Sequence, residues 1–78
     1  MISAEQYKLL SIEAKGNILW KDGAFLEEVI DYGKYRVWIY ELNKFFVGVY
    51  YSVKQNRIEK IEVLKDRKDD LIKSISPN

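Results

Sequence analysis

The sequence has no cysteine and no histidine, and only one of its 78 residues is proline. Without these side chains the chain can form no disulfide, no thiol nucleophile and no imidazole general base. The commonest ligands of structural zinc are missing for the same reason. Most familiar hydrolase sites are therefore excluded. A domain this short must gain its stability from its own core or from self-association.

Glycine and unbalanced charge are also scarce. The four glycines, Gly16, Gly23, Gly33 and Gly48, are too dispersed for a dinucleotide-binding or Walker phosphate loop. No apolar segment approaches membrane-spanning length, and residues 1–6 lack the features of a secretory signal. The net charge of +1 gives no long-range attraction to nucleic acid or to an anionic membrane. We therefore expect a cytoplasmic protein with neither of these partners.

Carboxylates are the remaining candidates for acid–base catalysis or metal binding. Candidates on the expected strands include Glu27, Glu28, Asp31, Glu59 and Glu62. A sheet with short turns offers little of the cleft that would shift their pKa values. Asp66, Asp69 and Asp70 lack the spacing of a calcium loop and are better explained by the start of a helix. We expect no enzymatic activity, no metal and no cofactor.

Aromatic and β-branched residues, which favour strands, dominate the middle of the chain. All aromatic side chains except Tyr7 and Trp20 lie between Phe25 and Tyr51. The predicted strands are at about 25–32, 35–42, 45–53 and 57–64. Connections this short pair consecutive strands antiparallel, which predicts a four-stranded meander.

The turns determine the register of this sheet. Gly33 with Lys34 suits a two-residue type II′ turn. Asn43 with Lys44 suits another two-residue turn, because asparagine accepts a positive φ. Residues 54–56 suit a three-residue loop that ends in a left-handed asparagine.

A helix is predicted before the sheet and another after it. Ser3 and Gln6 form a capping box, and the apolar spacing predicts a helix over about 3–15 that stops at Gly16. One more helical turn is expected before a left-handed Gly23.

The second helix is predicted over about 67–75, with Asp66 as its N-cap. The expected fold is a single α+β domain over residues 1–78, with helix, meander and helix in that order. With both helices on one sheet face, it is a two-layer sandwich.

The predicted register divides the strand residues between two faces. The face expected under the helices holds Phe25, Val29, Trp38, Tyr40, Phe45, Val47, Val49, Tyr51, Val53, Ile61 and Val63. The other face is expected to leave an apolar patch in solvent. Its members are Ile30, Tyr35, Val37, Ile39, Phe46 and Tyr50, rimmed by Glu28, Glu41, Lys60 and Glu62. Tyr35, Phe46 and Tyr50 could stack nucleic-acid bases, but the acidic rim disfavours phosphate.

A rimmed apolar patch is typical of an interaction surface, although scattered surface hydrophobes are normal. The pattern is generic and carries no family signature. We expect a non-enzymatic protein-association domain that binds another protein or itself, most simply as a homodimer through this patch. The alternative is a small apolar ligand enclosed beside Trp20 or Trp38.

Overall fold

A computed structural model describes residues 2–31 and 34–65 of the chain. Two helices precede four strands. The elements are α1 (Ala4–Lys8), α2 (Ile12–Asp22), β1 (Ala24–Asp31), β2 (Tyr35–Leu42), β3 (Phe45–Ser52) and β4 (Arg57–Leu64). The strands form one antiparallel sheet in the order β1-β2-β3-β4, so the predicted meander is confirmed. The predicted helix over 67–75 lies outside the described residues.

Two serine N-caps explain where the two helices begin. The Ser3 hydroxyl accepts from the Gln6 amide at 3.1 Å and the Ser3 amide donates to Gln6 Oε1 at 3.0 Å, which confirms the capping box. The Ser11 hydroxyl accepts from the Ala14 amide at 3.1 Å and starts a second helix. The predicted single helix over 3–15 is therefore divided. The predicted stop at Gly16 is wrong, because α2 continues through this residue.

Both helices pack on the same side of the sheet, the helix-side face. Tyr7 of α1 and Leu19 of α2 are fully buried in a cluster with strand residues. The buried strand members are Leu42, Val47, Val49 and Ile61. The main helix contacts are those of α1 with β4 and of α2 with β4 and β2. The core predicted on this face is confirmed at its centre, and it lies away from β1.

The pairing of β2 with β3 follows the predicted register. Leu42 pairs with Phe45 across a two-residue turn, in which Asn43 has φ 46° and Lys44 has φ 72°. Residue 37 then pairs with residue 50, and residue 39 with residue 48. These two strands therefore present the side chains of each face as predicted.

The pairing of β1 with β2 differs from the prediction by one residue. Asp31 pairs with Tyr35, so three residues connect the strands instead of the expected two. Ile30 consequently pairs with Arg36 and lies on the helix-side face, which corrects its predicted place. An irregularity between Phe25 and Glu27 shifts the register again and keeps Phe25 on the predicted side.

The connection between β3 and β4 also holds one residue more than predicted. Ser52 pairs with Arg57, and Asn56 has the expected left-handed φ, at 58°. A register shift between Tyr50 and Tyr51 restores the predicted pairing farther along β4. Only the start of β4 changes face, so Ile58 packs with the helix-side cluster.

The Tyr7 side chain should make the free energy of unfolding fall as the pH rises through the alkaline range. Its hydroxyl donates to the Lys15 carbonyl at 2.7 Å, and burial raises its pKa from 10.0 to about 12. The raised pKa means that this stabilisation is complete below pH 10 and is lost as the pH rises toward 12. Tyr7→Phe should cost about 1 kcal/mol at pH 8, from the lost hydrogen bond, and should flatten the alkaline decline. Urea unfolding at pH 8 and pH 11 measures both effects, and parallel declines in the two proteins would contradict this assignment.

Candidate functional site

The sheet face away from the helices, the second face, carries its own apolar cluster. Val37 and Ile39 are 0% exposed and Tyr50 is 8% exposed. With Leu64 they form a buried group drawn from three strands. The partly buried residues packed against it are Leu26, Val29, Tyr35 and Phe46. The rings of Tyr35 and Tyr50 meet edge to face, with centroids 5.7 Å apart.

Gly48 allows this close packing on the second face. A Cβ at Gly48 would lie 3.2 Å from Leu64 Cδ2 and 3.3 Å from Tyr50 Cε1. The space left by the missing side chain is therefore occupied by the chain's own leucine and tyrosine. Gly48 pairs with Ile39, so the same side chains lie beside the centre of the buried group.

The expected exposure of the second face is therefore wrong at its centre. Val37, Ile39 and Tyr50 are buried, and Tyr35 and Phe46 are half-buried. Ile30 is exposed, but it lies on the other face. The prediction leaves the face without α1 and α2 in solvent, whereas Val37 and Ile39 at its centre are fully buried and have side chains of three strands packed around them. Of the predicted rim, Glu41, Lys60 and Glu62 remain on this face, and Glu28 does not.

Exposed aromatic surface lies instead on the helix-side face, next to β1. Trp20 is 50% exposed and Phe25 is 56% exposed. Both rings contact Tyr40, with centroids 5.8 Å and 5.5 Å from its own. Trp38 lies beside Tyr40 on the same face of β2 and stacks on Tyr51 at 5.4 Å. Five aromatic side chains from α2 and three strands thus form two adjoining groups.

A groove of 370 Å³, the aromatic groove, lies within this surface and is lined by Phe25, Glu28, Trp38 and Tyr40. The Trp38 indole donates from Nε1 to Glu28 Oε2 at 2.8 Å. Arg36 Nη1 approaches the same oxygen at 3.7 Å. Burial raises the pKa of Tyr40, a phenol that is neutral at physiological pH even at its ordinary pKa. The groove therefore combines three rings with one oriented carboxylate.

The two tryptophans of the small-ligand alternative line separate grooves. Trp38 lines the aromatic groove, whereas Trp20 lines an open cleft of 260 Å³ between α2 and β4, beside Gly16 and Ile61. Trp20 adjoins the aromatic groove through its ring contact with Tyr40. Among residues 2–31 and 34–65, no group of three acidic side chains is arranged to hold a metal ion.

Sequence reasoning placed Phe25, Trp38 and Tyr40 in the core, and so missed the groove. The lengths of the helices in the structure, which differ from the single helix predicted over 3–15, account for the open groove. The 11-residue α2 is about 17 Å long, the 5-residue α1 about 8 Å, and an 8-residue strand about 26 Å. Helices this short cannot cover the whole face. Because they sit over β4 and β2, the aromatic side chains near β1 remain accessible.

Neither α1 nor α2 is long and apolar enough to cross a membrane. Comparisons of the chain with protein-family models, with curated proteins and with solved structures found no match. The geometry of the described residues is therefore the basis for a functional proposal.

Proposed function

We propose that this chain is a non-enzymatic protein-association domain that binds its partner through the aromatic groove and the adjoining edge of β1. The carrying observation is the surface formed by Trp20, Phe25 and Ile30, three large apolar side chains that are each at least 50% exposed and lie on one side of the sheet. Aromatic residues on an accessible patch are typical of the centres of protein interfaces.

The edge of β1 supports the same proposal. In the part of the chain that the structure describes, β1 pairs only with β2, so its outer backbone groups face away from the sheet. Such an edge can accept a further strand from a partner. The side chains of Phe25, Glu28 and Ile30 project beside it on the helix-side face. Backbone pairing and aromatic contact are thus available at one place.

This placement changes the surface of the predicted homodimer. A dimer through Val37 and Ile39 would require side chains that pack inside the molecule. Association through the helix-side face requires no such opening. We therefore assign the association function to the surface around Phe25 and Tyr40, whose rings are in contact and partly accessible.

A random-peptide library displayed on phage tests the proposal and requires no named partner. Peptides selected on the intact chain should bind Phe25→Ala about tenfold more weakly or worse, as expected for an aromatic anchor at an interface. Val53→Ala is the matched control, since Val53 is an exposed apolar residue, 48% accessible, near the other end of the strands. Sedimentation of both variants beside wild type detects self-association. If Phe25→Ala changed neither the affinity for the selected peptides nor the self-association of the chain, the assignment of the association surface would be refuted.

A further inference from the structure

We propose that the aromatic groove is a binding site for a basic side chain, lysine or arginine, carried on an extended segment of another protein. This inference rests on the proposed association function and names the chemistry of the partner. It follows from three features of the groove and its strand: the oriented carboxylate, the outer edge of β1 and the charge of that strand.

The groove has the composition of a cation site. Glu28 lies among the rings of Phe25, Trp38 and Tyr40, and its Oε2 is held by the Trp38 indole at 2.8 Å. A lysine or arginine head group is attracted both to a carboxylate and to aromatic rings within about 6 Å. An apolar occupant would use the rings but would leave the Glu28 carboxylate without a charged partner from the ligand.

Arg36 shows that a guanidinium can approach this carboxylate. Its Nη1 lies 3.7 Å from Glu28 Oε2, and both side chains are accessible to solvent, so the pair is weak. The described contacts of Glu28, from Trp38 and Arg36, both fall on Oε2. The second oxygen, Oε1, can therefore accept from an incoming cation while the indole keeps the carboxylate in place.

The extended form of the partner follows from the position of β1. A strand added along its outer edge would project alternate side chains onto the helix-side face. One of these would lie next to Glu28, at the groove. The flanking positions on that face would meet Phe25 and Ile30, which are 56% and 50% exposed. A basic residue between apolar residues at alternate positions is the complementary pattern.

A second copy of this chain does not provide that pattern through β1. The strand carries three acidic residues and no basic one, in the sequence AFLEEVID. A two-fold antiparallel pairing centred on Glu28 would set Glu28 of one copy against Glu28 of the other, and a pairing centred on Glu27 would do the same with Glu27. Like charges placed opposite each other destabilise a strand pair. The charge of β1 therefore favours a different, basic segment.

Binding of short fluorescent peptides by the intact chain tests the inference. The probes are a ten-residue strand-forming peptide with a central lysine between alternate valines, and the same peptide with glutamine in place of lysine. Wild type should bind the lysine peptide about tenfold more tightly. Glu28→Gln should remove that difference. Glu41→Gln, at an exposed glutamate on the second face, should preserve it.

Arg36→Gln provides a test in the opposite direction. It removes a positive charge beside the groove and should tighten binding of the lysine peptide severalfold, with a smaller effect on the glutamine peptide. Weaker lysine-peptide binding by this variant would overturn the inference. Since a variant that merely loosened the fold would bind less, a gain cannot come from destabilisation.

The outcomes separate this inference from the proposed function. Both peptides could bind equally well, with affinities that fall in Phe25→Ala but not in Glu28→Gln. That result refutes the basic-side-chain site and supports the association surface. If Phe25→Ala instead abolishes dimerisation of a chain that binds neither peptide, the partner is a second copy and the inference fails. If neither peptide binding nor self-association depends on Phe25, both proposals fail.

Discussion

Replacing Ile39 with alanine is expected to lower the free energy of unfolding by about 2–5 kcal/mol. Ile39 is 0% exposed and belongs to the buried cluster of the second face, so truncation leaves a cavity in addition to the lost burial. Domains of this size are stable by only about 5–10 kcal/mol, and the variant should approach the limit of folding. Urea unfolding followed by circular dichroism measures the loss.

Ile30→Ala is the matched control for Ile39→Ala. The substitution is the same, and both isoleucines belong to the patch predicted from the sequence, but Ile30 is 50% exposed on the helix-side face. Its loss should change the unfolding free energy by less than about 1 kcal/mol. If the two substitutions lowered the free energy of unfolding equally, Ile39 would not be buried in the folded protein. The second face would then be exposed to solvent, as the sequence predicted.

The different positions of Ile30 and Ile39 show how far the residues of a turn predict the register of the strands that it connects. The pairing of β2 with β3 could be predicted because Asn43 and Lys44 make a two-residue turn in which both residues have positive φ. The connection before β2 contains one residue more than the glycine-lysine pair suggested, and a shift of one residue exchanges the faces of a strand. Ile30 changed sides for that reason, whereas Ile39 did not.

Burial on the second face was not readable from alternation alone. A strand pattern tells which side chains share a face, but it does not tell which of the two faces is buried. Tyr50 and Leu64 occupy the space beside Gly48, a contact between residues on two strands that depends on their rotamers. The sequence also did not indicate the aromatic groove. The prediction places the whole helix-side face in the core, but α1 and α2 are too short to cover all of it.

Replacing Gly23 with alanine is expected to cost about 1–3 kcal/mol of unfolding free energy through overpacking. The backbone at Gly23 has φ −81° and ψ 152°, which any residue can adopt, so the predicted left-handed conformation is wrong. The restriction is one of space: an added Cβ would lie 2.7 Å from the Leu19 carbonyl oxygen and 2.9 Å from Leu19 Cδ1. Leu19 is fully buried, and its carbonyl accepts from the Gly23 amide at 2.8 Å. Moving the carbonyl oxygen would weaken this hydrogen bond, and moving Cδ1 would disturb the core packing.

Gly16→Ala separates this steric effect from the general effect of adding a methyl group. A Cβ at Gly16 would meet Trp20 Nε1 at 3.3 Å, the end of a half-exposed side chain that can move aside. Alanine is favoured over glycine by about 1 kcal/mol in a helix interior, and Gly16 lies inside α2. This variant should therefore match wild type in urea unfolding or exceed it, while Gly23→Ala falls below both. Equal stability of the two variants would mean that the close approach at Leu19 relaxes easily, and that the end of α2 does not require glycine.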